Sequence, residues 1–142
     1  MNTTNAKEAI PSSQAFTVVG VTYGLYGLGL LMLWPTLIGV VIAYAKRHDV
    51  PELLASHYRW LISTFWWWFV AWIVILGAML TVMIPNAIDI EGAVRSGQYF
   101  NIPWELIGAI VMGGFGLLIV WLWVVYRLIR GAVRLGDGLS AP

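Results

Sequence analysis

The chain contains no cysteine. Disulfides, iron–sulfur clusters and thiolate zinc sites are therefore excluded. Charge is scarce as well, at 11% of 142 residues. A soluble domain carries about 25%, so a water-facing globular surface is not available here. The formal net charge of +1 says nothing as a total; its distribution along the chain is what informs. A further absence is positional. No Asp, Glu, Lys, Arg or His lies inside any of the long apolar runs. Intramembrane ionisable groups mark pumps, proton relays and coupled transporters, and acid–base catalysis draws on the same side chains. The expectation is a protein that is not an enzyme, with no catalytic residue, no metal site and no cofactor.

What is present is apolar. Hydrophobic residues make up 60% and the mean hydropathy is +0.80. Three uncharged blocks stand out: residues 15–45, Trp60 to Ile84 and Leu106 to Tyr126. A bilayer core needs about 20 apolar residues as a helix, which places the chain in the membrane class. No cleavable signal pattern is expected, because the uncharged run after Lys7 extends from Ala9 to Ala45 and is too long for one. The first block allows two readings. As one helix it would be about 45 Å long against a core of about 30 Å, kinked at Trp34-Pro35. As a hairpin, Ser13 to Leu33 crosses, Trp34 to Thr36 turns, and Leu37 to Ala45 returns. In the second block Pro85 and Asn86 are expected to end the crossing. The predicted fold is all-α: a small polytopic transmembrane helical bundle with four membrane segments, or three if the first two are one kinked helix. Residues 1–14 read as a flexible polar tail, 15–135 as a single transmembrane domain and 136–142 as a flexible C-terminal tail.

Basic residues set the orientation. Lys46, Arg47 and Arg59 precede the second block, and Arg127, Arg130 and Arg134 follow the third; the loop between carries Asp89, Glu91, Glu105 and one arginine, Arg95. The positive-inside rule places both basic stretches, and the C-terminus, in the cytoplasm. The N-terminus is cytoplasmic in the hairpin reading.

The segment KRHDVPELLASHYR joins the first two blocks. Asp49, Pro51 and Glu52 have the pattern of a helix start, and Leu53, Leu54 and Ala55 suit an interfacial surface. His48 and His57 are nine positions apart, which is not a ligand spacing on one helical turn. His57, Arg59, Lys46 and Arg47 are candidates for contact with lipid headgroups, set against simple anchoring of helix depth. The three C-terminal arginines are too few for nucleic-acid binding.

Within the blocks, Gly20 and Gly24 form a GxxxG pair, with Gly27 and Thr17 near the same face. Ala109 and Gly113 repeat the spacing, with Gly116 one turn on. Small-residue faces of this kind let helices approach closely in lipid. They serve packing within the bundle, a homo-oligomer or a membrane-protein partner. Tyr23 and Tyr26 flank the first face and can hydrogen-bond between helices. Trp66, Trp67, Trp68 and Trp72 form an aromatic cluster. Successive helical residues point about 100° apart, so the triplet cannot share one face, and contact with the lipid bilayer is the simplest use. Thr17, Thr22, Tyr23, Ser63, Thr64 and Thr81 supply a thin polar lining for a pore, although helical hydroxyls more often bond their own backbone.

The stretch GVVIAYAKRHDVPELLASHYRWLISTFWW and the ending YRLIRGAVRLGDG resemble a family of small bacterial inner-membrane proteins, distantly grouped with the chloroplast Tic-type inner-envelope import component. The shared order is a helix ending in basic residues (Tyr44 to Arg47), a polar segment, a histidine (His57), an aromatic-rich helix (Arg59 to Trp68), and a closing Arg127 to Gly131 with Asp137-Gly138 after it. The resemblance implies four membrane segments in a bacterial inner membrane with both termini cytoplasmic. It transfers no catalytic residue. The functional expectation is a non-enzymatic accessory or assembly subunit acting by helix contacts; the alternatives are a pore or translocation component, or a protein that binds lipid or another hydrophobe.

Overall fold

The computed structural model describes residues 12–30, 33–99 and 101–142. These form four α-helices and, among the described residues, no strand. The helices are α1 (Ser13–Gly29), α2 (Leu33–Lys46), α3 (Glu52–Ser96) and α4 (Trp104–Gly136). Of the polar tail expected over 1–14, residues 1–11 lie outside the described residues. Ser12 is the N-cap of α1, its hydroxyl accepting from the Ala15 N–H at 3.2 Å.

The first apolar block is two helices. Two close approaches show how they pair. A Cβ added to Gly29 would run into the Thr36 side chain, and one added to Gly39 would lie 2.8 Å from the Tyr26 ring. Each step back along α1 meets a step forward along α2, so the pair is an antiparallel hairpin. The break falls earlier than the expected turn at Trp34 to Thr36. Pro35 sits in the first turn of α2, where its missing N–H has no intrahelical partner to lose. Proline here begins a helix instead of turning the chain.

α3 starts at Glu52, as Asp49, Pro51 and Glu52 suggest, and the Ala55 N–H already bonds the Pro51 carbonyl at 3.0 Å. The expected interfacial surface of Leu53 to Ala55 is instead the first turn of this helix, with Leu54 and Ala55 buried. Nor does the helix end at Pro85 and Asn86; it continues to Ser96. Proline deprives the preceding turn of a donor. The Asn86 side-chain amide reaches back to the Val82 carbonyl at 2.8 Å, supplying a donor beside the proline. The helix closes at Gly97, φ +67°, with Gly97 N–H on Val94 and Gln98 N–H on Ala93. α4 ends the same way: Gly138, φ +68°, lets its own N–H reach Leu135 and the Leu139 N–H reach Arg134.

The described residues fall into two compact units. The first comprises the chain up to Trp67 together with Leu122–Pro142. Its core is Val19, Tyr23 and Tyr26 of α1, Ala43 of α2, Leu54, Tyr58 and Leu61 of α3, and Val124 and Leu128 of α4. The second, Trp68–Trp121, packs Met79 against Gly113 and Ile75 against Gly116. Much of the rest of it is open: Ile73, Val74, Leu80, Ile84, Val111, Met112 and Phe115 are exposed. α3 and α4 are long and apolar enough to cross a membrane, and α2 is a shorter apolar helix.

Candidate functional site

The polar residues of the first unit converge at one place. His57, on the second turn of α3, is fully buried. Its Nε2 lies 2.9 Å from the Leu139 carbonyl and its Nδ1 2.9 Å from the Tyr23 hydroxyl. A carbonyl only accepts, so Nε2 carries the proton. Nδ1 of the neutral ring then accepts, and Tyr23 donates. Both ring nitrogens are satisfied without charge. The two rings meet edge-on, 5.9 Å between centres. Close behind stands Gly131 of α4, where a Cβ would run into the Tyr23 oxygen; only glycine leaves room. One histidine thus ties α1, α3 and the segment after α4 together. Part of the stretch expected to be a flexible tail, 136–142, is hydrogen-bonded, because the Ala141 N–H also bonds the Ser56 hydroxyl at 2.9 Å.

Arg127 and Trp60 form the second feature. The Arg127 guanidinium lies over the Trp60 ring, 3.5 Å from its centre, and 5.0 Å from that of Trp123. Its Nε–H donates to the Thr64 hydroxyl at 2.9 Å and its Nη2 reaches the Ser63 hydroxyl at 3.5 Å. The Trp60 indole N–H returns a bond to the Arg127 carbonyl at 3.2 Å. Among the described residues no carboxylate pairs with Arg127.

The expected headgroup contacts separate. His57 is withdrawn from that set, since a buried ring with both nitrogens occupied cannot meet a headgroup. Arg59 is exposed and paired with Glu52 at 2.5 Å. Lys46 is exposed; Arg47 stacks on Tyr44 at 5.0 Å and bonds His48. The small-residue faces separate too. Gly113 and Gly116 are pressed by Met79 and Ile75, and Ala109 is half-buried. Among the described residues, Gly20, Gly24 and Gly27 meet nothing within 4 Å of where a Cβ would stand. Trp66 bonds the Tyr44 hydroxyl at 2.9 Å, Trp67 is exposed, and Trp68 and Trp72 stand side by side, 5.9 Å between ring centres. Of the hydroxyls considered for a pore, those of Thr17, Thr22, Thr64 and Thr81 each donate to a carbonyl of their own helix.

Arg127 was legible only as a topological charge. Its place one turn after Trp123 signals a cation–π pair, but nothing in the sequence says that Trp60 supplies the nearer ring. Comparison with known protein families, curated proteins and solved structures found no match.

Proposed function

We propose that this chain is a small, non-enzymatic membrane protein that works by helix contact, as an accessory or assembly subunit. The observation that carries the reading is the contrast among its glycines. Gly29, Gly39, Gly113 and Gly131 are each crowded by a neighbouring side chain, whereas Gly20, Gly24 and Gly27 share one face of α1 and are crowded by none of the described residues. A smooth face is what another membrane helix packs against in lipid. The open apolar side chains of α3 and α4 support a lipid-covered surface for the rest. The finer reading is four membrane segments in a bacterial inner membrane with the C-terminus cytoplasmic. The α1–α2 hairpin supports it, as does the resemblance to the Tic-type family.

Crosslinking in native membranes tests this. Gly24→Cys, in a chain without native cysteine, should trap a reproducible membrane partner or a second copy. Gly24→Leu should abolish that complex while leaving the fold intact, because the position has room. A clean monomer in native membranes, or a complex indifferent to Gly24→Leu, refutes it.

A further inference from the structure

One buried group of the first unit can change its charge in the ordinary pH range, and that is His57. Its two bonds fit the neutral ring only: Nε2 donates to the Leu139 carbonyl and Nδ1 accepts from the Tyr23 hydroxyl. A second proton, taken from water onto the Nδ1 lone pair, makes that nitrogen a donor facing a donor. The Tyr23 hydroxyl can turn to accept it, but its own hydrogen is then stranded. Among the described residues Tyr23 makes no other hydrogen bond, and Gly131 closes the space beside its oxygen. A buried polar hydrogen without an acceptor is costly.

The surroundings oppose the charge as well. From α4, Arg134 is close enough to repel it, and Arg127 stands on the Tyr23 side. Among the described residues no carboxylate pairs with the ring or with either arginine. On α3 the neighbours are Tyr58, a phenol, and Glu52, which is taken by Arg59. Asp137, after α4, is exposed. From α2 no hydrogen bond, ion pair or ring contact reaches the imidazole among the described residues. A buried cation without a counter-ion is strongly disfavoured. The Leu139 carbonyl alone gains from the proton, because a charged donor binds it more tightly. The weak side of the cluster is therefore α1. We propose that His57 is an acid-operated release: a proton on Nδ1 expels the Tyr23 hydroxyl and frees α1 from α3 and α4. The device stands on the His57 cluster alone, whatever α1 packs against outside the chain.

The absence of native cysteine makes the test direct. The full chain carries Gly24→Cys on α1, where there is room, and Val133→Cys on α4, where the side chain is exposed. Both thiols take nitroxide labels, and paramagnetic resonance reads their separation in neutral detergent. Measurements at about pH 8 and about pH 5 bracket the ordinary histidine value near 6.5. One distance is expected at the higher pH. A second, longer population should appear reversibly at the lower one, its share relative to the first growing by at most about tenfold for each pH unit below about 6.5. His57→Gln keeps a donor and an acceptor but cannot titrate, and should hold the single distance at both pH values. His48→Gln, at the exposed histidine, should open like the parent. Arg134→Gln removes the nearest cation and should open less at the lower pH. If His57→Gln does not fold, judged by circular dichroism, Arg134→Gln decides; its own Nε has no partner among the described residues to lose. An unchanged distance in the parent, or parent-like opening in His57→Gln or Arg134→Gln, overturns the proposal.

Discussion

The Tyr23 hydroxyl and the bare backbone of Gly131 are two halves of one arrangement, and a double-mutant cycle measures it. Tyr23→Phe removes the donor to His57 Nδ1. The ring is fully buried, so the nitrogen is left without a partner, at about 1–3 kcal/mol. Gly131→Ala drives a methyl into the Tyr23 oxygen and places it 2.9 Å from Cε1 of the same ring. Tyr23 cannot retreat without breaking its bond to His57, so overpacking of about 1–3 kcal/mol is expected. In the double variant the nearest clashing atom is gone and no bond holds the ring. The remaining contacts, 2.9 and 3.0 Å to ring carbons, relax by a small tilt. The pair should therefore cost less than the sum of the singles by about 1 kcal/mol. Reversible unfolding of the detergent-solubilised protein in dodecyl sulfate, followed by circular dichroism and tryptophan fluorescence, gives all four free energies. Strict additivity would refute the argument. A harmless Tyr23→Phe would mean that Nδ1 has water.

Other expectations follow from the same geometry. Gly113→Ala should cost about 1 kcal/mol, less than Gly131→Ala, because the obstacle is the flexible Met79 side chain and not an anchored ring; an equal or larger loss of thermal stability would show Met79 to be locked. Gly138→Ala forces an L-residue into the left-handed region at about 1 kcal/mol and should pull the Leu139 carbonyl off His57, read in ¹⁵N-histidine spectra as loss of a parent Nε2–H tautomer. A parent spectrum showing the Nδ1–H form would contradict the hydrogen-bond assignment. Pro85→Ala restores a backbone donor inside α3 and should raise the unfolding free energy by about 1–3 kcal/mol, in the same dodecyl sulfate titration. A lower value would mean that the proline ring serves packing.

The sequence carries the helical class and the apolar blocks plainly, because hydropathy is a property of each residue and needs no partner. The start of α3 is equally local: Asp49, Pro51 and Glu52 act within one turn. The threonine hydroxyls behave as helical threonines do for the same reason. Pro85 and Trp34-Pro35 misled because proline is a strong local signal with a context-dependent result. It was accommodated in the first turn of α2, and α3 runs on through it to Ser96. His57 looked like a juxtamembrane surface residue, since the carbonyl that buries it comes from 82 positions away. Arg127 and Trp60 are 67 positions apart, and only the packing of α3 on α4 makes them a pair. The glycines divide on the same principle. GxxxG spacing identifies a smooth face, but which face stays open depends on where the other helices lie.

The hydrogen bond from His57 to the Leu139 carbonyl also sets an order of events in time. The chain is made from its N-terminus at about 5–20 residues/s. Leu139 follows His57 by 82 residues, or roughly 4–16 s at that pace. During the interval the imidazole proton has no protein acceptor of its own, and α1, α2 and the start of α3 must wait beside a polar group not yet closed over. A segment made later thus closes over helices made earlier.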